Sequence, residues 1–316
     1  MPQKIIKKIA DRIAESKSFL ITAHINLEGD ALGSELAAYL LLKKLKKKAV
    51  ICNNDRTPVI YQFFPSVGVI KNSVQEKRFD TALVLDCSDS SRAGKIKDSL
   101  SKADCVINID HHIGNTCFGD INWVQPRASS ASEMFYRVCE KFKIMDKNIA
   151  FCLYTGIFTD TGSFVYSNTS EATHKIVSNL MKYDIHPNKI YNNLYSLCQP
   201  RDLNFIGKVM SSLKFSPDKK ICWAVMAKID ERPYDLSEVV FSIMRRLKSP
   251  EVFLLFKKVN SGRTRVNFRS RSYIDVNEIA KFFGGGGHKK ASGTTVEESI
   301  DKVENKVIGF VRKYIK

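Results

Sequence analysis

Apolar and polar residues follow two different rhythms along this chain. Short runs rich in aliphatic and β-branched residues, Ser18-Phe-Leu-Ile-Thr-Ala-His24, Lys48-Ala-Val-Ile-Cys52, Thr81-Ala-Leu-Val-Leu85 and Cys105-Val-Ile-Asn-Ile109, read as buried strands. Between and after them, apolar residues recur at helical spacing, over 30–46 (Leu32, Leu36, Tyr39, Leu40), 130–143 and 147–159. The first ten residues mix lysines with aliphatics as an amphipathic helix does, without the apolar core of a signal peptide. Strand and helix in alternation is βαβ logic. It predicts an α/β fold with a mostly parallel, doubly wound sheet covered on both faces.

The pattern changes between about 187 and 215, where Pro187, Pro200 and Pro217 bracket a polar helical stretch. Strand-like runs follow at 221–228, 251–259 and 264–271, interleaved with helices near 237–247, 275–283 and 297–313. We therefore expect a first domain over 1–190, a linker over 191–215 and a smaller mixed α/β domain over 216–316, with the active site in the interdomain cleft. A length of 316 residues agrees with two domains of roughly 150 residues each.

Composition adds limits. An apolar content of 44% supports ordinary cores, and no run approaches the roughly 20 apolar residues of a membrane span, so a cytoplasmic protein without membrane partners is expected. The eight cysteines form no Cys-x-x-Cys pair and mostly sit inside apolar runs, which points to reduced core thiols instead of a disulfide framework or a zinc site. A net charge of +17 favours anionic partners such as nucleic acid, although lysine-rich stretches such as 43–48 also suit a solvated helix end.

The chemistry sits where the strands end. The first run closes on His24, with Glu28 and Asp30 just beyond; the third closes on Asp86; the fourth runs into Asp110-His111-His112; and Asp160 follows the helical stretch that ends near Phe158. Each could be a helix cap, a turn former or a satisfied loop histidine when taken alone. Together they aim carboxylates and imidazoles at the carboxyl edge of a sheet, where open α/β folds bind their ligands. Carboxylates gathered at one rim repel one another, and divalent cations offset that repulsion. Two such metals about 3.5–4 Å apart would activate water and neutralise a phosphoryl oxygen during in-line attack.

At this point His24-Ile-Asn-Leu-Glu28-Gly-Asp30-Ala-Leu-Gly-Ser34, Leu85-Asp86, Asp110-His111-His112 and Asp160-Thr-Gly162 resemble the four ordered motifs of the DHH phosphoesterase family. Asn267-Phe-Arg269-Ser270, followed by Phe283-Gly-Gly-Gly-Gly-His288-Lys-Lys-Ala-Ser-Gly293, is similar to the family's DHH-associated C-terminal domain. Within the family, the length and domain pairing look most like the NrnA-type nano-RNases and phosphoadenosine phosphatases. The resemblance implies one metal held by His24, residue 28 and Asp86, and a second held by Asp30, Asp86, His111 and Asp160, with Asp86 as bridge and Mn²⁺ as the usual ion. It further implies that Asp110 orients a ligating imidazole and that His112 faces the scissile phosphate. Asp86, His111 and His112 would then be the residues closest to catalysis. The family usually has Pro-Asp where this chain has Leu27-Glu28, and glutamate is one methylene longer, so Glu28 must ligate through another rotamer or bind its metal more weakly.

The run Gly284 to Gly287 lets backbone N–H groups approach an anion, though a hinge would look the same. The adjacent basic strand favours the anion. From Lys257 to Arg271 there are six basic residues and no acid, and strand alternation puts Arg265, Arg269 and Arg271 on one face. In the resemblance, Arg269, Gly285, Gly286, Gly287 and His288 bind a terminal phosphate. The function expected is degradation of short single-stranded RNA to mononucleotides, with 3′-phosphoadenosine 5′-phosphate as a further nucleotide substrate. Hydrolysis of cyclic or linear diadenylate and a non-catalytic RNA-binding module are the rival readings. The family also contains dimers, which admits a homodimer.

Overall fold

The computed structural model describes residues 2–226, 236–260 and 262–315, and the chain divides into two compact units, Met1–Ser196 and Leu197–Lys316. The first unit runs α1 (Pro2–Glu15), β1 (Ser18–Thr22), α2 (Gly29–Lys44), β2 (Lys48–Ile51), β3 (Thr81–Leu85), α3 (Lys97–Leu100), β4 (Val106–Asp110), β5 (Ile121–Val124), α4 (Ala131–Phe142), α5 (Lys147–Asp160), α6 (Glu171–Met181) and α7 (Pro187–Tyr195). Its five strands lie in the order β2-β1-β3-β4-β5, all parallel. Side chains of β1 and β3 are buried on both faces, which explains why those runs carry no polar alternation.

The strand order reverses between β1 and β3, and in open α/β sheets the crevice outside that reversal is where ligands bind. Register makes the crevice specific. Thr22 pairs with Val84 and Leu85 pairs with Ile109, so His24, Asp86 and Asp110 continue into one row across three strand ends.

Helix α2 is buried almost all round, because it lies between the sheet and α5. The two helices meet through glycines. A Cβ on Gly33 would come within 2.5 Å of the Cys152 carbonyl oxygen, and one on Gly29 within 2.5 Å of Thr159 Oγ1. That close approach brings the start of α2, with Asp30, alongside the end of α5, with Asp160.

The second unit contains α8 (Pro200–Ser211), β6 (Lys214–Phe215), β7 (Ile221–Met226), α9 (Ser237–Met244), β8 (Val252–Asn260), β9 (Arg263–Ser270), α10 (Val276–Phe282), β10 (Gly286–His288), β11 (Ala291–Val296) and α11 (Ile300–Val311). Its sheet is mixed, in the order β10-β11-β9-β8-β7-β6, with β7 and β8 parallel. One face packs Val252, Leu254, Phe256, Val266 and Phe268 against α10 and α11; the other packs Cys222, Ala224, Phe253 and Leu255 against α8 and α9. In the stretch expected as a linker, α8 buries Ile206 and Val209 in that second cluster. Its apolar residues are few but spaced one turn apart, which is enough to dock a helix.

The eight cysteines are all free thiols, and five of them are buried. No helix among the described residues is long and apolar enough to cross a membrane.

Candidate metal centre

Asp86 stands at the centre of the row of strand ends. Its backbone takes a left-handed conformation, φ 53°, directly after β3, an arrangement that aspartate tolerates better than most residues and that commonly marks a functional turn. The residue is 4% exposed. His24 Nε2 lies 3.4 Å from Asp86 Oδ2, and His111 Nε2 lies 3.4 Å from Asp86 Oδ1. His24 Nδ1 sits 2.6 Å from the Ile25 carbonyl oxygen, which leaves Nε2 as the nitrogen turned toward the carboxylate.

Burial would lower the pKa of both imidazoles, but the Asp86 carboxylate outweighs it and raises His24 to about 9; Asp86 and Asp160 together raise His111 to about 10. Burial works against the charge on Asp86 as well, yet His111 and His24 hold its carboxyl well below the usual range. The two imidazoles and the carboxylate are therefore coupled electrostatically within one buried volume.

Asp30 is held from another direction. Its Oδ2 accepts the Ala131 N–H at 2.6 Å and its Oδ1 accepts the Ser132 N–H at 2.8 Å, so the amino end of α4 grips this carboxylate. Burial, followed by the nearby Asp86, still raises Asp30 to about 6. Asp160, at the end of α5, places Oδ2 3.6 Å from His111 Nε2, and burial pushes its carboxyl well above the usual range. Ligand atoms of Asp30, His111 and Asp160 lie within 4.8 Å of one another, and so do those of Asp86, His111 and His112.

Asp110 holds an imidazole, that of His112. It bonds His112, with Nδ1 2.6 Å from Oδ1, and does not bond His111; its Oδ2 accepts Asn115 Nδ2 at 2.7 Å. The reason is geometric: residues two apart on an extended segment project to the same side, so Asp110 and His112 meet. Asn108 Nδ2 donates to the Cys87 carbonyl oxygen at 3.0 Å, and its own side-chain oxygen accepts Asn115 Nδ2 at 2.8 Å. This amide pair braces the turn that follows Asp86.

Glu28 lies at the amino cap of α2, exposed, with an extended backbone and no capping hydrogen bond from its side chain. Its carboxylate adds to the upward push on Asp160, but it belongs to neither group of converging ligand atoms among the described residues. The candidates of the second unit are described by themselves. Arg269 is ion-paired with Glu238, and its guanidinium lies 4.8 Å from the Phe241 ring centroid. Arg271, expected beside it, instead donates to the Arg245, Leu247 and Lys248 carbonyl oxygens after α9, which is a capping role. The glycine run is not a loose hinge: Gly286–His288 forms edge strand β10, paired with β11 through Gly286↔Gly293 and His288↔Ala291. A Cβ on Gly285 would come within 2.2 Å of the Gly293 carbonyl oxygen, so glycine is needed for the close pairing. The His288 side chain lies outside the described residues.

The residues at the crossing of β1, β3 and β4 fit a divalent metal. Asp86 Oδ1 is buried and accepts no hydrogen bond among the described residues, an acceptor that costs free energy unless a cation or proton meets it. Its neighbours offer oxygen and imidazole nitrogen only. The nearby Cys87 thiol turns away to the Asp89 carbonyl oxygen, and burial pushes it up to about 12, so thiolate ligation is absent from the set. Such a donor set suits Mn²⁺, Mg²⁺ or similar ions over thiophilic ones.

Residues 18–157 match the N-terminal domain of the DHH family and residues 218–316 match the DHHA1 domain. The chain is 28% identical to the bifunctional oligoribonuclease and PAP phosphatase NrnA of Thermus thermophilus over 296 residues, covering 93% of this chain and 89% of that protein. It is 25% identical to the Bacillus subtilis protein of the same name over 292 residues, covering 88% and 89%. Among solved structures, an exopolyphosphatase-related protein from Bacteroides fragilis matches with a TM-score of 0.91 at 25% identity, covering 99% of this chain and 96% of that one.

Proposed function

Since the chain belongs to the DHH family of phosphoesterases, we propose that it is a phosphodiesterase that degrades RNA fragments a few nucleotides long to mononucleotides, with Mn²⁺ as its metal and 3′-phosphoadenosine 5′-phosphate as a second substrate of the same site. The observation that supports this best is the buried Asp86 carboxylate, with His24 Nε2 3.4 Å from Oδ2, His111 Nε2 3.4 Å from Oδ1, and no hydrogen bond to Oδ1 among the described residues. The resemblance along most of the chain to relatives named as oligoribonucleases and PAP phosphatases supplies the substrate class.

In this reading His24, Glu28, Asp30, Asp86, His111 and Asp160 would hold two divalent cations. Cations bound there supply charge neutralisation at the phosphoryl group and acidify an attacking water. The chain's own contribution is positional and protonic. The N–H groups of α4 keep Asp30 ionised and oriented, which prevents its carboxylate from turning away when the site is charged. Asp110 holds the His112 ring through Nδ1, which leaves Nε2 free to face the scissile phosphate of a bound substrate. Arg269 and the β10 glycines bind a terminal phosphate of the substrate, the guanidinium through paired hydrogen bonds and the backbone through close approach.

Incubation with an RNA dinucleotide, a 24-mer, diadenylate and 3′-phosphoadenosine 5′-phosphate, each in Mn²⁺ and in chelator, tests the proposal. The dinucleotide and phosphoadenosine phosphate should turn over in Mn²⁺ and not in chelator, with the 24-mer slow. Preferential turnover of diadenylate would move the assignment to the rival messenger reading, and binding without hydrolysis would leave only a binding module.

A further inference from the structure

Just past Asp160 the chain leaves α5 through three successive left-handed residues: Gly162, Ser163 and Phe164, with φ of 55°, 62° and 67°. For the two that are not glycine such a backbone is unfavourable, and it persists only where the surroundings hold it. Here they do. Val165 and Tyr166 both donate N–H groups to the Thr161 carbonyl oxygen, at 3.0 and 2.9 Å. Asn168 Nδ2 ties the far side of the turn to the Asp160 carbonyl oxygen at 3.1 Å and to that of Ser129 at 3.0 Å. The turn is thus fastened to the residue that bears one of the clustered carboxylates.

The turn sorts its aromatic side chains. Phe164 goes inward, with ring centroids 5.5 Å from Phe158, 6.0 Å from Tyr154 and 5.7 Å from His174. Tyr166 goes outward and keeps 45% of its surface exposed. Its ring lies on Gly162: a Cβ added there would meet Cζ at 2.3 Å and both Cε atoms at 2.5 Å. A glycine required beneath a ring, within a strained and tethered turn, is more than core packing needs, since the tyrosine it supports keeps nearly half of its surface exposed. Flanking it, Val165 is 80% exposed, and Ile113, next to His112 at the end of β4, is 87% exposed. Among the described residues, apolar surface is therefore presented on the chain segments that follow both Asp160 and His112.

We propose that Tyr166 is the nucleobase-stacking residue of the cleavage site: the base of the nucleotide whose phosphate meets the Asp86 cluster stacks on the exposed part of this ring, with Gly162 as its floor. The inference rests on the phosphodiesterase reading and adds what recognises the base, as distinct from the phosphate. An aromatic face accepts any base and favours the larger purines, so it gives affinity with little sequence choice. That suits an enzyme acting on mixed short fragments.

The test compares an RNA dinucleotide with an analogue that lacks the base on the nucleotide bearing the scissile phosphate. The wild-type protein should show a KM about tenfold lower for the dinucleotide than for the abasic analogue, the scale of one stacked base. Tyr166→Ala should collapse that ratio toward one, and Tyr166→Phe should restore it, because the ring face and not the hydroxyl carries the contact. A ratio unchanged in Tyr166→Ala, or a ratio that only tyrosine restores, overturns the proposal. Calorimetric titration of the same two ligands separates this outcome from failure of the enzymatic reading. A wild-type protein that hydrolyses neither ligand, yet binds the dinucleotide more tightly in a Tyr166-dependent way, would sink the phosphodiesterase assignment and keep the platform. Equal binding of both ligands would sink the platform whatever the turnover.

Discussion

Gly156 of α5 lies against the Asp30 carboxylate: a Cβ at that position would stand 3.0 Å from Asp30 Oδ1 and 2.0 Å from Ser132 Oγ. The bare Cα is what lets α2, α4 and α5 converge on one carboxylate. Gly156→Ala should gain up to about 1 kcal/mol of helix propensity and lose about 1–3 kcal/mol to the clash, a net destabilisation. The more telling effect is local, since the alanine displaces Ser132 and with it the N–H groups that orient Asp30. Weaker Mn²⁺ binding with a modest drop in Tm is expected. A variant that binds metal as wild type does would show that this grip on Asp30 does not matter.

Asp86 is the group from which His24, His111 and His112 are all within 3.7 Å. Removing it should cost more than the roughly 10–100-fold typical of a residue that merely supports a metal ligand. Asp86→Asn keeps the shape and removes the charge, so a loss beyond about 100-fold in kcat, accompanied by loss of bound metal on equilibrium dialysis, is expected. Near-normal turnover in Asp86→Asn would rule out a bridging carboxylate at the row's centre.

Arg269 is paired with Glu238, whose side chain is 58% exposed. The Arg269 side chain is 15% exposed, but its partner carboxylate reaches solvent, so a substrate phosphate can displace that carboxylate. Arg269→Ala should raise KM for phosphate-terminated substrates about 10–100-fold, the scale of a lost charged hydrogen bond, with metal content retained. Glu238→Gln should act oppositely and lower KM by no more than about fivefold, because the competing carboxylate is gone. If Glu238→Gln raises KM instead, the glutamate positions Arg269 and does not compete for it.

The sequence carried the row of strand ends because β-strand period and termination are local. His24, Asp86 and Asp110 could be placed at one edge from apolar runs alone, and parallel register then aligned them. What it hid was partnership across distance. The N–H groups that hold Asp30 come from Ala131 and Ser132, about a hundred residues downstream, on a helix whose amino end Ser130 caps. The alternation of β9 put Arg269 and Arg271 on one side, but only the position of α9 decided that Arg271 would cap a helix end. The glycine run read as a loop because β10 exists only through pairing with β11, and the short strand β5 carried too little apolar pattern to stand out.

Glu35 is a charge-bearing residue that no part of the proposed chemistry uses. It lies on the inner side of α2, fully buried, where Oε2 accepts Asn53 Nδ2 at 2.8 Å and Oε1 has no hydrogen bond among the described residues. Burial raises its pKa to about 8, against 4.5 for the ordinary side chain. The folded protein therefore keeps a proton that the unfolded chain releases once pH passes 4.5. Stability should fall as pH rises through the window from about 4.5 to about 8, by at most about 1.4 kcal/mol per unit from this group, and stop falling on its account above that. Glu35→Gln removes the titration while keeping an oxygen for Asn53. Urea unfolding in chelator at pH 5, 6, 7 and 8 should show the glutamine variant gaining on the wild-type protein at each step, with the coupling of Glu35 to His24 and Asp86 included in the difference. A difference that stays flat across those four conditions would mean that Glu35 is ionised in the folded protein, with a counter-charge not yet identified.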